Sequence, residues 1–122
     1  MKFFFLLGCL YPLGMEDGRI KDSQLIATSS LSILSAAKYA RLNRNDGLGG
    51  WCPNQAPFVN ETGPIYTQFI HVKLGLPVRI KGIALQDRAR GTEKVKAYWI
   101  NYKFSDTFLW IYDECGNPKV RN

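Results

Sequence analysis

An all-β domain, a sandwich or jelly roll, is the fold class that the sequence predicts, and three observations predict it. Turn-forming residues recur along the whole chain: Gly14, Asp17-Gly18, Asp46-Gly47, Gly49-Gly50, Pro53, Pro57, Gly63-Pro64, Gly75, Pro77, Gly91, Gly116 and Pro118. The runs between them are too short for ordinary helices, and several alternate apolar with polar residues, the period of a half-buried strand. Aromatic residues make up 13% of the chain, and such side chains suit a pleated surface. Regularly spaced short strands divided by turns are the pattern of a sandwich.

Taken in order, Ile20 to Ser30 reads as the strand that leaves the opening segment. Ser35 to Leu42 has room for one helical turn, and no long amphipathic helix occurs anywhere. Phe69 to Leu74 alternates after its first two residues. Val78 to Leu85 is rich in β-branched residues and is expected in the core. Val95 to Phe104 alternates again, and Phe108 to Tyr112 is a last aromatic strand.

The chain has 122 residues, enough for one domain with a core and not for two. Apolar residues form 46% and charged residues 21%, which argues against disorder. A net charge of +6 favours acidic partners such as anionic lipid or sulfated glycan. Nucleic acid is not expected, because no basic helix, zinc-finger spacing or aromatic RNA-binding motif occurs. Cys9, Cys52 and Cys115 form no CxxC pair and His71 is the single histidine, so neither a metal site nor a cofactor is expected. Met1 to Gly8 has one positive residue and a short apolar run, and residues 1–8 read as the remnant of a signal peptide. That run is too short to span a bilayer. The sequon Asn60-Glu61-Thr62 marks Asn60 for glycosylation and fits secretion.

Two stretches carry a more specific signal. Cys9-Leu10-Tyr11-Pro12-Leu13-Gly14-Met15-Glu16-Asp17-Gly18 is followed by a serine-rich loop and then by Tyr39-Ala40-Arg41-Leu42-Asn43. In that order they resemble the opening of the discoidin domain, also called the coagulation-factor type C domain. Later runs resemble the same family. Phe69-Ile70-His71-Val72-Lys73-Leu74-Gly75 stands for its Trp-Leu-Gln-Val-Asp-Leu-Gly, and Ile83-Ala84-Leu85-Gln86-Asp87-Arg88 for its Ile-Ala-Thr-Gln-Gly-Arg. Tyr102 to Asp106, Trp110-Ile111-Tyr112 and Gly116 to Val120 look like its closing motifs. One departure reverses a charge: Lys73 stands where the family has an aspartate.

The resemblance runs from Cys9 to Val120 and implies a discoidin-type β-sandwich, a jelly roll of galactose-binding-like form, with binding loops protruding from one end. The family continues into further strands and usually bonds its opening cysteine to one at the very end. Neither is found here, so residues 9–122 are expected to form a discoidin-type domain that lacks its last strands. A bridge between Cys52 and Cys115 remains open, since sequence does not establish that their Cα atoms approach closely enough.

No catalytic constellation emerges. Glu16-Asp17 and Asp113-Glu114 are adjacent carboxylates, and sequence neighbours rarely converge on one substrate. The serines lack a His/Asp partner pattern, and His71 lies mid-strand. The expectation is a binding module and no enzyme.

Binding chemistry concentrates in three loops. Leu31, Ile33 and Leu34 are apolar residues among serines, either exposed tips or one face of a helical turn folded onto the core. Asn43, Arg44, Asn45 and Asp46 offer planar polar side chains for a phosphate or a sugar hydroxyl, although turn formation explains them equally well. Arg88, Arg90 and Lys94 would ring apolar tips with cations, as anionic-lipid binding requires. The reading is therefore a secreted or cell-surface adhesion module, peripheral to the membrane, whose ligand is anionic phospholipid. A glycan, a collagen-like or other matrix protein, and a module detached from a larger enzyme are its rivals.

Overall fold

The computed structural model describes residues 2–7, 11–54, 58–60, 63–65, 68–95 and 98–111. Among these, short strands alternate with single 3₁₀ turns: β1 (Lys2–Leu7), β2 (Tyr11–Pro12), β3 (Leu25–Ala27), β4 (Phe58–Asn60), β5 (Gly63–Ile65), β6 (Ile70–Val72), β7 (Ile80–Gln86), β8 (Asn101–Phe104) and β9 (Thr107–Trp110). The 3₁₀ turns cover Asp22–Gln24, Ile33–Ser35 and Ala37–Tyr39. The protein is all-β. Its strands form a sheet in the order β2-β1-β7 and the pairs β3–β6, β4–β5 and β8–β9, all antiparallel.

The segment Lys2–Leu7, expected as a signal remnant, is the middle strand of the three-stranded sheet. It pairs with β7 from Lys2↔Gln86 to Leu6↔Gly82, and the register shifts between Leu6 and Leu7. A run of Phe and Leu residues suits a strand.

The core is built around Met15, which is fully buried, with Ile20, Leu25 and Ala37 against it. Ala27 of β3, Ile70 and Val72 of β6 and Ile83 of β7 close over this cluster. The core thus lies between the β3–β6 pair and β7. Burial of a side chain the size of Met15 contributes about 1.5–3 kcal/mol.

Met15 reaches the core because the segment before it turns sharply at Gly14, whose φ is +106°. A Cβ at that position would lie 2.4 Å from Cβ of Arg19, so only glycine fits. The turn closes with the Ile20 amide donating to the Gly14 carbonyl at 3.0 Å. Arg19 braces it from outside: its amide and Nε donate to the Asp17 carboxylate, and Nη2 donates to the Pro12 carbonyl at 2.8 Å. Donation from the Arg19 amide, chiefly, holds the Asp17 carboxyl below its usual range.

Arg41 ties the opening segment to the Tyr39–Asn43 turn. The residue is 5% exposed; Nη1 donates to the Met15 carbonyl at 2.8 Å and Nη2 to Asp22 Oδ1 at 2.6 Å. A buried guanidinium is tolerated only when paired in this way. The substitution of lysine at position 73 leaves the β3–β6 edge intact, because that position works through its backbone. The Lys73 amide donates to the Gln24 carbonyl at 2.8 Å, and Gln24 Nε2 donates back to the Lys73 carbonyl at 2.6 Å.

Several elements differ in extent from the sequence expectation. Within 20–30 only Leu25–Ala27 is a strand, since Lys21 and Gln24 form a tight turn through Lys21 N–H to Gln24 Oε1 and Gln24 N–H to the Lys21 carbonyl. The expected core strand at 78–85 starts at Ile80 and is half-buried, with the Ile80 side chain exposed. Among the described residues of 95–104 the strand is Asn101–Phe104, turning at Ser105 into β9. Tyr102, Phe104, Phe108 and Leu109 of this hairpin are exposed. β4 and β5 were not expected at all.

His71 sits on β6 with its ring edge-on to Phe108, centroids 6.3 Å apart. Burial, with Lys73 and Lys103 nearby, pushes its pKa below the ordinary imidazole value. The unfolded chain therefore takes up the proton first as pH falls. The stability is complete above about pH 6.5 and declines from there down to the lowered folded-state value. Melting temperature should accordingly fall on acidification below 6.5, before carboxylates titrate, and His71→Phe should flatten that slope; an unchanged slope in the variant would refute the assignment.

Removing the Arg41 clamp should have a larger effect. Arg41→Met leaves the Met15 carbonyl without its donor, so urea denaturation should show a loss of about 1–3 kcal/mol. A change within about 0.5 kcal/mol, the range of an ordinary surface substitution, would contradict the clamp.

Candidate functional site

The three loops singled out by sequence meet at residues 47–49. The first is a serine-locked turn. Ser35 is fully buried; its amide and Oγ donate to the Ser32 carbonyl at 3.1 Å each, and the Ser32 amide donates to Ser35 Oγ at 2.9 Å. Ser32 Oγ in turn accepts from the Leu34 amide at 3.2 Å. These small side chains take the inward positions, so the apolar ones have nowhere to go but out: Leu31 is 58% exposed, Ile33 84% and Leu34 46%. The helical turn and the exposed tips, opposed as alternatives in sequence, coexist.

The base of this loop is anchored from the Trp51-Cys52 segment. The Leu31 amide donates to the Cys52 carbonyl at 2.8 Å, the Cys52 amide to the Ser35 carbonyl at 3.2 Å, and buried Trp51 donates through Nε1 to the Ser29 carbonyl at 2.8 Å. Cys52 is a half-buried free thiol; Cys9 and Cys115, and with Cys115 the bridge left open by the sequence, lie outside the described residues. Asn60 ends β4 opposite Gly63; Glu61 and Thr62 of its sequon lie outside the described residues.

The second loop is partly self-satisfied. Asn43 adopts φ +56°, its amide donating to Gln86 Oε1 at 2.9 Å and Nδ2 to Glu16 Oε1 at 3.3 Å. Arg44 is paired with Asp46 at 2.7 Å, both exposed, and Asn45 is exposed beside them. The loop joins the first through the Leu48 amide, which donates to the Leu34 carbonyl at 2.8 Å. That approach needs Gly47: a Cβ there would come within 2.4 Å of the Leu34 carbonyl oxygen.

The third loop is clipped onto the second. The Ala89 amide donates to the Gly49 carbonyl at 3.1 Å, and Arg88 Nε to the Leu48 carbonyl at 2.8 Å. Arg88 Nη1 donates to Glu93 Oε1 at 2.8 Å and lies 3.9 Å from Cys52 Sγ; the side chain is only 12% exposed. Arg88, expected among the ligand-facing cations, is therefore a clamp between loops, while Arg90 and Lys94 are exposed. Sequence reasoning missed Leu48, Gly49 and Ala89, whose contributions are made by backbone atoms and leave no chemical signature.

No family model matches the chain. Individual proteins do. The epithelial discoidin domain-containing receptor 1 of Homo sapiens is 47% identical over 108 residues, 88% of this chain. Neuropilin-1 of Homo sapiens is 31% identical over 115 residues, 92% of the chain, and the discoidin domain-containing receptor tyrosine kinase B of Caenorhabditis elegans is 29% identical over 98 residues, 77% of it. The chain is a discoidin-type domain. The discoidin-type chain spans about a tenth of the length of these curated relatives, 10% of the human receptor and 12% of the worm kinase.

The junction is testable without a ligand. Gly47→Val, which meets the Leu34 carbonyl, should detach the first two loops and lower stability by about 1–3 kcal/mol. Hydrogen exchange at the Leu48 amide should accelerate with it; unchanged protection would show that the loops are not coupled there.

Proposed function

We propose that this discoidin-type domain is an extracellular binding module that docks peripherally on anionic phospholipid. One observation carries the reading: Leu31, Ile33 and Leu34 stand exposed on a turn whose inward positions are filled by serine. Each such side chain contributes roughly 1.5–3 kcal/mol if fully buried in an apolar layer. Arg90 and Lys94, on the loop clipped to the same junction, supply the cations, at about 1 kcal/mol per basic residue near an acidic surface. The turn is locked by hydrogen bonds before any ligand arrives, so little ordering entropy opposes insertion.

Two relatives are receptors by name, and reception of a ligand outside the cell is the role carried over to this chain. Among the described residues no helix is long and apolar enough to cross a membrane. A glycan or a matrix protein is the second reading, supported by the exposed polar row Arg44, Asn45 and Asp46 on the loop whose Leu48 amide meets the Leu34 carbonyl.

Cosedimentation with phosphatidylserine-containing vesicles tests the first reading. The wild-type protein should bind and lose affinity as salt rises, because exposed charges are screened over about 8 Å at physiological ionic strength. The variant L31S/I33S/L34S should lose binding with its circular dichroism unchanged, and R90E/K94E should weaken it. Retention of vesicle binding by the triple variant would remove the tips from the site. Binding to a glycan or collagen-peptide array with none to vesicles would establish the second reading instead.

A further inference from the structure

Two departures from the family motif fall on β6 and its continuation, and both change its chemistry. Against Trp-Leu-Gln-Val-Asp-Leu-Gly the chain has His71 for the glutamine and Lys73 for the aspartate. Positions two apart on an extended segment share a face. A titratable ring and an ammonium thus replace a neutral amide and a carboxylate on one side of the strand. That side meets the β8–β9 hairpin. The His71 ring lies edge-on to Phe108 of β9, with centroids 6.3 Å apart, and Lys103 Nζ of β8 lies 5.3 Å from the centre of the same Phe108 ring. Lys73 and Lys103 therefore act on the imidazole from two elements. Asp106, in the hairpin turn, pairs with Lys103 at 4.0 Å but is fully exposed, where water screens it. β3, paired with β6 through Ile26↔His71, brings the uncharged Leu25, Ile26 and Ala27. The two strands of the hairpin hold each other from Asn101↔Trp110 to Phe104↔Thr107, and among the described residues neither pairs with a strand of another sheet. The hairpin can therefore leave β6 as a unit, with no ladder hydrogen bond broken.

We infer that acidification detaches the β8–β9 hairpin from β6, with His71 as the trigger. Protonation places a third cation beside Lys73 and Lys103. The Phe108 ring, which already faces one ammonium, offers little attraction to it. In the attached arrangement burial and the two lysines lower the His71 pKa, so the detached state takes up the proton more readily. Attachment is complete above the ordinary imidazole value of about 6.5 and is lost progressively as pH falls below it. That window separates neutral surroundings from endosome-like acidity. The event is local. The core around Met15 and the loop cluster are held by the Gly14 turn, Arg41 and Trp51, and take no part in it.

Nuclear Overhauser contacts between the His71 and Phe108 rings, followed in the full wild-type chain from about pH 7.5 to about pH 5.5, read the event directly. They should fade severalfold while the amide shifts of β1, β7, Leu34 and Leu48 stay in place. Ring contact that persists after the imidazole has titrated would overturn the proposal. So would the collapse of all amide signals together, which is global unfolding and no switch. H71Q, which puts back the neutral residue of the family motif, should leave the hairpin amides at 101–110 without that transition; a transition that survives would assign the trigger to another group and refute His71. K73D should move the wild-type transition to lower pH, because a carboxylate beside the imidazolium favours the attached state. R79D makes the same charge change at an exposed position outside the cluster and should move it less. Equal displacement by the two variants would show that net charge acts in place of the local pair, and would overturn the proposal. Vesicle binding enters none of these readouts, so their outcome is independent of the lipid reading.

Discussion

Arg41 occupies the point on which most of the chain depends. Its guanidinium is buried beside Met15, the most buried large side chain of the core, and it satisfies the Met15 carbonyl while pairing with Asp22 at the rim. A charge in that position would be expelled into water unless both partners were held in place, and each partner is held by a different local device. Met15 is delivered by the Gly14 turn, and Asp22 by the 3₁₀ turn that Lys21 and Gln24 close. The opening segment and the Tyr39–Asn43 turn are thus two halves of one clamp, which accounts for their occurrence together in the sequence motif.

What the clamp fixes is the stem of the loop cluster. Ala40 and Trp51 are buried on either side of the polar loop, and the serine-locked turn hangs from Cys52 and Leu48 by backbone hydrogen bonds. Loops built in this way present side chains from a rigid base rather than by their own packing. The cost falls on the inner face: Ser35 and Gly47 fill space that apolar side chains would otherwise take, and Ile33 is left in water.

Those features that depend on local chemistry were legible in the sequence. The turns at Gly14 and Gly47, strands β6, β7 and β9 and the all-β class follow from residue types and period. Features that depend on distant partners were not. Arg88 reads as a free cation until its bonds to Leu48, forty residues earlier, and to Glu93 are seen. That the Lys2–Leu7 run pairs with Ile80–Gln86 is seen only in the fold.

Depth measurement at the tip addresses the central claim, that a serine-locked turn presents apolar side chains to a lipid surface. Ile33→Trp places an indole at the most exposed tip position. On phosphatidylserine vesicles containing brominated lipid, its fluorescence, taken as the difference from the wild-type protein, should shift to the blue and be quenched by bromines placed high on the acyl chains. Vesicle-bound protein whose added indole shows neither shift nor quenching would contradict the account, because the domain would then be meeting the membrane through some other face.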